Sequence, residues 1–396
     1  MNIATQKYIA DHENDDIFSL SLSIRNNKEV DHELAIRQIR GRRKIRHKVP
    51  AFYNCPDILY PSQLSLEQSS SEATAIYKST LCKGSSFVDL TGGFGIDCFF
   101  LSQNFSKSTY VEHKKELCEL AIHNYKALGM EHIEVVNDNA TRFLQHMSAV
   151  NVVYLDPARR DNSGKKVFKL NDCEPDITSI LELLKAKAER IMFKLSPMID
   201  LMQVKSALGE VSEIHVISVE NECKELVFII DHKSGNSNLI STVNINKSSV
   251  QIYNFDSERE NRTQSDYPAT VMKYLYEPNS SVMKAGAFKS VGQDYELFKL
   301  HVNTHLYTSD KLVSGFPGRI FEIREVFGSS RNELKRLKSQ ISKANISVRN
   351  YSMSVDEFRK KTGITEGGDQ YLFACKRANE EYCIFNCSKI SDVKVD

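Results

Sequence analysis

The sequence predicts an α/β protein: one mostly parallel sheet, preceded by a helical region and followed by a small α+β region. Three observations carry this. Short apolar runs alternate with amphipathic segments between residues 76 and 232, which implies crossover connections and a parallel sheet. Several of those runs end in an acid, at Asp89, Glu112, Asp138 and Asp156. After Asp231 the pattern changes to longer, amphipathic strands and charged helices.

Residues 1–75 read as helical. "DHELAIRQIRGRRKIRHK" spaces Ala35, Ile36 and Ile39 on one face and then becomes densely basic. "YPSQLSLEQSSSEATAIYKSTL" starts a new helix after Pro61, with Ser65 as its expected cap. "SFVDL" is the first strand, "TGGFG" a glycine turn and "IDCFFLSQNF" a helix. "STYVEH" is the second strand and "KKELCELAIHNYKALGM" its amphipathic partner. "IEVVND" is the third strand, "ATRFLQHM" a helix and "NVVYLD" the fourth strand. "ITSILELLKAKA" is a helix and "RIMFKLSP" the fifth strand. "EIHVISVENECKELVFIID" holds two strand-like runs around a polar break, the pattern of an antiparallel hairpin closing the sheet.

A polar linker, "HKSGNSN", then opens a region spanning 240–396. It contains the helix "SVMKAGAFKSV", the strand "RIFEIREVF", the helix "SRNELKRLKSQISKA", the strand "ISVRNY", the helix "SVDEFRKKTG" and the hairpin "QYLFACKRANEEYCIFNC". The expected parts are therefore 1–75, 76–232 and 240–396.

Bulk properties narrow the function. A net charge of +1 over 396 residues excludes a uniformly basic nucleic-acid binder, so basic surface must be local. No apolar run approaches membrane-spanning length, and the N-terminus lacks a signal-peptide core, so a cytoplasmic protein without membrane contact is expected. Nine scattered cysteines show no CxxC pair or zinc spacing; reduced thiols and no metal are expected.

"DLTGGFGID" joins a strand to a helix, where an open α/β sheet binds its ligand. Gly92, Gly93 and Gly95 permit close backbone approach, and Glu112 at the next strand end can accept hydrogen bonds from ribose hydroxyls. A dinucleotide fingerprint would place a small residue where Cys98 stands. The spacing D-x-T-x-G-x-G, Asp89 to Gly95, instead resembles the first motif of class I S-adenosylmethionine-dependent methyltransferases with a Rossmann-like, seven-stranded sheet. The closing hairpin is also characteristic of that family. The resemblance assigns Asp89, Thr91, Gly92, Gly93, Gly95 and Asp97 to the amino acid end of the cofactor and Glu112 to its ribose. At the third strand end Asp138 or Asn139 would meet the adenine; both are equally read as turn residues. Gln68, with Ser69, would cover the cofactor pocket; the alternative is a plain helix cap.

The fourth strand ends in "DPARRD". In the resemblance this is the reaction centre, where amino methyltransferases acting on nucleic acids carry Asn or Asp, two prolines and an aromatic. Asp156 and Pro157 match; Ala158 and Arg159 depart from the pattern. A carboxylate oxygen and a backbone carbonyl can accept both N–H groups of an exocyclic amine and aim its lone pair. Arg159 can stack on a base or grip a phosphate. The plain alternative makes Asp156 a helix cap. Lys194 in "FKLSP" sits on the same rim, as a phosphate ligand or a snorkelling lysine.

The basic run Arg37–Lys48, with Arg40, Arg42, Arg43 and Arg46, reads either as a phosphate-backbone footprint or as a solvated helix face. Together with "LSLEQSSSEATAIYK", "MKAGAFK", "NTHLYTS", "FPGRIFEI" and "ANISVRNY", these motifs resemble a bacterial group of methyltransferases carrying a C-terminal THUMP-like domain. The resemblance implies methylation of a base nitrogen in RNA (tRNA or rRNA). A small-molecule methyltransferase for anionic substrates and an inactive RNA-binding protein are the rival readings.

Overall fold

The structure is a computed structural model that describes residues 1–23, 29–159, 170, 173–234 and 237–390. The chain divides into two compact units, Met1–Ile214 with Glu225–Ser237, and His215–Lys224 with Asn238–Asp396.

The first unit is built on the strands the sequence predicts: β1 Gly84–Asp89, β2 Phe105–Glu112, β3 Ile133–Asn137, β4 Val150–Leu155 and β5 Ala188–Leu195. They run parallel in the order β3-β2-β1-β4-β5. The hairpin strands are β6 Glu213–Val219 and β7 Glu222–Asp231. Strand β7 lies antiparallel beside β5, with Arg190 opposite Asp231 and Leu195 opposite Leu226. Near-continuous burial of Phe87, Val88, Val152, Val153, Leu155, Ile191, Met192, Phe193, Val227, Phe228 and Ile229 explains the run-like rather than alternating sequence of these strands.

Register decides where the site lies. Asp89 pairs with Tyr110 on one side and Tyr154 on the other, and Leu155 pairs with Phe193. One residue further on, Asp156 therefore emerges beside Lys194, with the glycine turn after β1 as the neighbouring lip.

The N-terminal region is helical as expected: Ile3–Asp11, Ile17–Ser23, His32–Ile45, Pro50–Tyr53, Gln63–Gln68 and Glu72–Ser79. Ser65 is no cap. It lies inside the helix Gln63–Gln68, and Ser71 caps the next helix by accepting the Thr74 N–H at 3.3 Å.

The second unit differs from the expected 240–396 region at its start. It includes the tip of the β6–β7 hairpin, and there β6 neighbours β8 Leu239–Ile245, which pairs antiparallel with β9 Val250–Asp256. Two strands, just after the stretch read as a polar linker, thus extend the seven that were expected. A separate seven-stranded sheet has the order Phe298–Lys299, Tyr307–Ser309, Tyr274–Pro278, Gly318–Gly328, Tyr382–Lys389, Thr365–Lys376, Lys343–Arg349. Helices Arg331–Gln340 and Val355–Thr362 pack on it through Phe327, Leu334, Leu337, Phe358, Leu372 and Ile384. The expected helix over "SVMKAGAFKSV" is two, Ser280–Ala285 and Ser290–Asp294, because Gly286 turns left-handed at φ +80°.

The cysteines form no disulfide among the described residues. Among the described residues no group of side chains could hold a metal, and no helix is long and apolar enough to cross a membrane.

Candidate active site

The glycine turn separates three glycines by role. A Cβ on Gly92 would lie 2.1 Å from the Tyr110 ring, and one on Gly95 would lie 2.5 Å from the Tyr125 hydroxyl. These two are glycines because aromatic rings pack against the backbone. Gly93 is different: like Gly95 it has a positive φ, +55° against +86°, but a Cβ there would meet nothing closer than the Thr91 carbonyl at 3.8 Å. It is the position of the turn that leaves space over the backbone.

Glu112 is buried and pre-positioned. Its Oε2 accepts the Gly93 N–H at 3.0 Å and its Oε1 the Lys114 N–H at 2.9 Å. A carboxylate has about four acceptor sites, so capacity for hydroxyl donors remains. Asp138 follows on the next strand end, its N–H on the Glu112 carbonyl at 3.2 Å and its carboxylate paired with Arg142. Asn139 is the N-cap of the helix Ala140–His146, accepting from Thr141 and Arg142 N–H groups. Its amide oxygen is committed to the helix, as the turn reading has it.

Asp89 and Asp97 lie under the turn. Asp89 accepts the Thr91 N–H at 2.9 Å and is almost fully enclosed. Burial, with Asp97, Asp156 and Glu112 adding to it, pushes its carboxyl up to about 8 against the pull of Thr91. Asp97 accepts from the Ser70 hydroxyl and the Tyr154 hydroxyl, both at 2.7 Å on Oδ2, and pairs with Lys78 at 2.8 Å through Oδ1. Burial opposes its charge, but Lys78 and Lys194 hold its carboxyl down at about 2. Asp97 is thus tied beneath the turn by Ser70, Tyr154 and Lys78.

Ser70 is the hub that the sequence reading missed. It donates to Asp97 and accepts from the ammonium groups of Lys78 at 3.0 Å and Lys194 at 3.1 Å. Gln68, two residues earlier, is exposed at the end of its helix. Lys78, wholly buried, also pairs with Glu225 at 2.8 Å. Lys78 and Glu225 carry no local signal: each looks like any charged residue on a helix or strand until the sheet brings them together.

Asp156 is the exposed end of this network. Its N–H donates to the Thr91 hydroxyl at 2.6 Å, and its Oδ2 pairs with Lys194 at 2.6 Å, while 35 % of the side chain remains open. Surrounding protein raises its carboxyl above the ordinary range; Lys194 opposes that, Asp97 adds to it, and Lys78 opposes it again. Lys194 is neither snorkelling nor free for a phosphate; its ammonium is spent on Asp156 and Ser70. Two ammonium groups stand against three carboxylates, Asp97, Asp156 and Glu225, which leaves one negative charge. Pro157 is buried, and Ala158–Arg159 pair with Cys173–Glu174 in a two-residue antiparallel bridge. The Arg159 side chain, with Arg160 and Asp161, lies outside the described residues.

The basic helix is mostly internal glue. Arg42 pairs with Glu13 at 2.7 Å and covers the Tyr53 ring, and Arg43 donates to the carbonyls of Glu13 and Asp15. Arg40 and Arg46 are the exposed pair. The phosphate footprint expected of four arginines is thereby reduced to two.

The crystal structure of a predicted methyltransferase from Porphyromonas gingivalis W83 is 32% identical, with 98% of each chain covered and a TM-score of 0.88. The chain belongs to this methyltransferase family. Residues 274–317 of this methyltransferase match a ferredoxin-like domain family and residues 318–389 a THUMP-like one. An rRNA methylase from Streptococcus thermophilus (12% identity, TM-score 0.31, 40% of this chain and 93% of that one) and TrmK of M. capricolum with S-adenosylhomocysteine (12%, 0.32, 43% and 71%) are distant likenesses. No curated protein matches the chain.

The site fits S-adenosylmethionine. Gly93 leaves room for close approach, Glu112 has acceptor capacity for ribose hydroxyls, and the network's negative charge suits a sulfonium.

Proposed function

We propose that the protein transfers a methyl group from S-adenosylmethionine to a base nitrogen of RNA, in tRNA or rRNA. The observation that carries this is Asp156 at the sheet's C-terminal lip, next to the glycine turn. Its main chain is held by Thr91 and one oxygen by Lys194, so that Oδ1 is left for a substrate.

When bound, S-adenosylmethionine supplies a methyl group on a good leaving group, so no nucleophilic side chain is required. Asp156 Oδ1 accepts one N–H of the target amine and the Pro157 carbonyl the other, which turns the nitrogen lone pair toward the methyl. Lys194 favours the ionised form of Asp156 and fixes its rotamer. Glu112 holds the ribose, and Gly93 lets the cofactor's amino acid end lie against the turn. The THUMP-like match over residues 318–389 supports RNA as the substrate class.

The experiment is methylation of total RNA from a strain lacking the gene, with labelled S-adenosylmethionine, followed by nucleoside mass spectrometry. A labelled methylated base is expected with the parent enzyme. Asp156→Ala should lower single-turnover methylation by about 10²–10³-fold, the usual cost of one preorganised group, with cofactor affinity kept. Label recovered only in small molecules would remove the RNA assignment.

A further inference from the structure

Four motifs of the second unit, "MKAGAFK", "NTHLYTS", "FPGRIFEI" and "ANISVRNY", have no part in the proposed chemistry, yet they meet in space. Two of them, "FPGRIFEI" and "ANISVRNY", meet at Glu277 at the end of strand Tyr274–Pro278, only 3 % exposed. Its carboxylate accepts from Arg319 Nε at 2.8 Å, from a second Arg319 nitrogen, from Arg349 at 3.1 Å and from the Ser347 hydroxyl at 3.2 Å. Both arginines remain more than a third exposed and keep N–H groups beyond those spent on Glu277.

Beside them lies a second group. His305 stacks on Phe288 at 3.7 Å between ring centroids. Its φ of +52° is one a side chain rarely adopts, and its Nδ1 is buried without a hydrogen-bond partner. Lys299 is buried, with its ammonium 5.5 Å from the Phe288 centroid. It donates to the Val302 carbonyl at 2.9 Å, and no carboxylate pairs with it among the described residues. The two groups are one neighbourhood by strand register: Glu277 pairs with Arg319, and Tyr276 beside it pairs with Tyr307, two residues from His305. Burial first, then the charges of Lys299 and Arg349, hold His305 down at about 4. Lys299 is itself pulled down to about 8 by burial and Lys289, with Glu260 opposing. Arg319 and Arg349 share one carboxylate, Glu277, while Lys299 lies within electrostatic reach of Glu260 and of a second ammonium, Lys289.

We infer that Arg319, Arg349 and His305 form an oxyanion site for a phosphate group, with Lys299 beneath it supplying charge. A planar guanidinium fork suits phosphate oxygens. Glu277 pre-orders both forks, so little freedom is lost on binding. A buried ammonium with no carboxylate at ion-pair distance is unfavourable until an anion arrives. The phosphate belongs to an RNA strand, in which respect the inference rests on the proposed function; a free phosphate-bearing metabolite has the same chemistry.

The test uses the full chain, with labelled total tRNA as one probe and inorganic phosphate as the other. Arg319→Gln with Arg349→Gln should flatten the salt dependence of tRNA binding by about 1.4–1.8 log units per log unit, two contacts' worth. Cofactor affinity by calorimetry should not move, which also reports folding of the first unit. The His305 imidazole, assigned through His305→Asn, should titrate at higher pH with either probe bound. Arg324→Gln with Arg336→Gln, two exposed arginines of the same unit, should leave the slope unchanged. If RNA is methylated but the Arg319/Arg349 variant keeps the parent slope, the site is refuted and the activity stands. If the parent ignores tRNA but binds phosphate, and the variant does not, the site stands and the RNA reading fails. Parent binding of neither probe overturns the site. Should the double variant misfold, Arg349→Lys replaces it; loss of slope there with native far-UV dichroism still supports planar recognition.

Discussion

Removing the Lys194 ammonium would leave Asp156 in place but change its hold on a proton. The Lys194 charge, 2.6 Å away, works against burial to keep Asp156 ionised. Asp97, Lys78, Asp89 and Tyr154 are the other charged or titratable groups that act on it. Lys194→Met deletes the principal lowering influence, so the acid limb of kcat/KM should move to higher pH. Lys194→Arg should restore much of it, and Asp156→Asn should abolish the limb. The pH profile of each variant's kcat/KM is the measurement. A Lys194→Met enzyme with the parent's limb would leave Lys194 only a structural role.

The glycine turn and the basic helix make distinct predictions as elements. A methyl group on Gly92 has nowhere to go, since the Tyr110 ring is pinned by its own hydroxyl donating to the Gly93 carbonyl at 2.6 Å. Gly92→Ala should therefore destabilise the first unit by about 1–3 kcal/mol, the usual cost of overpacking, visible in urea denaturation. In the helix His32–Ile45 and its C-terminal extension, the arginines divide. Arg42→Gln should lower stability by roughly 1.5–3 kcal/mol, the worth of a charged hydrogen bond, because its partner Glu13 is mostly buried. Arg40→Gln with Arg46→Gln should leave the thermal midpoint alone and weaken salt-dependent RNA binding. If instead the Arg42 variant is fully stable, the helix is not held as described.

At the scale of the whole molecule, pH-dependent stability follows from proton uptake on folding. Asp89 has a folded value near 8 against an ordinary 3.8. The folded state therefore keeps a proton that the unfolded chain loses. This stability is full below about 4 and is lost as pH rises toward 8, at up to ~1.4 kcal/mol per pH unit. His305 acts in the opposite sense between about 4 and 6.5. Above 6.5 that contribution is constant, so Asp89→Asn should flatten the slope between pH 6.5 and 8. Denaturant midpoints of both proteins across that window decide it; parallel curves would mean Asp89 stays ionised in the fold.

The sequence alone determined the alternation of strands and helices, the glycine turn, the acids at the strand ends and the antiparallel hairpin, because these follow from periodicity and backbone chemistry over a few residues. It also supplied the family motifs. It did not distinguish Gly93 from Gly92 and Gly95, whose neighbours Tyr110 and Tyr125 lie on other elements. Nor could it separate Asp156 from Asp97, or Arg40 from Arg42. Each pair looks alike in one dimension. What tells them apart is whether a distant charge, Lys194, Lys78 or Glu13, is brought within hydrogen-bonding reach. Only the tertiary structure decided this, because the Coulomb and desolvation energies that assign a role to a buried charge depend on through-space distance and on what excludes water.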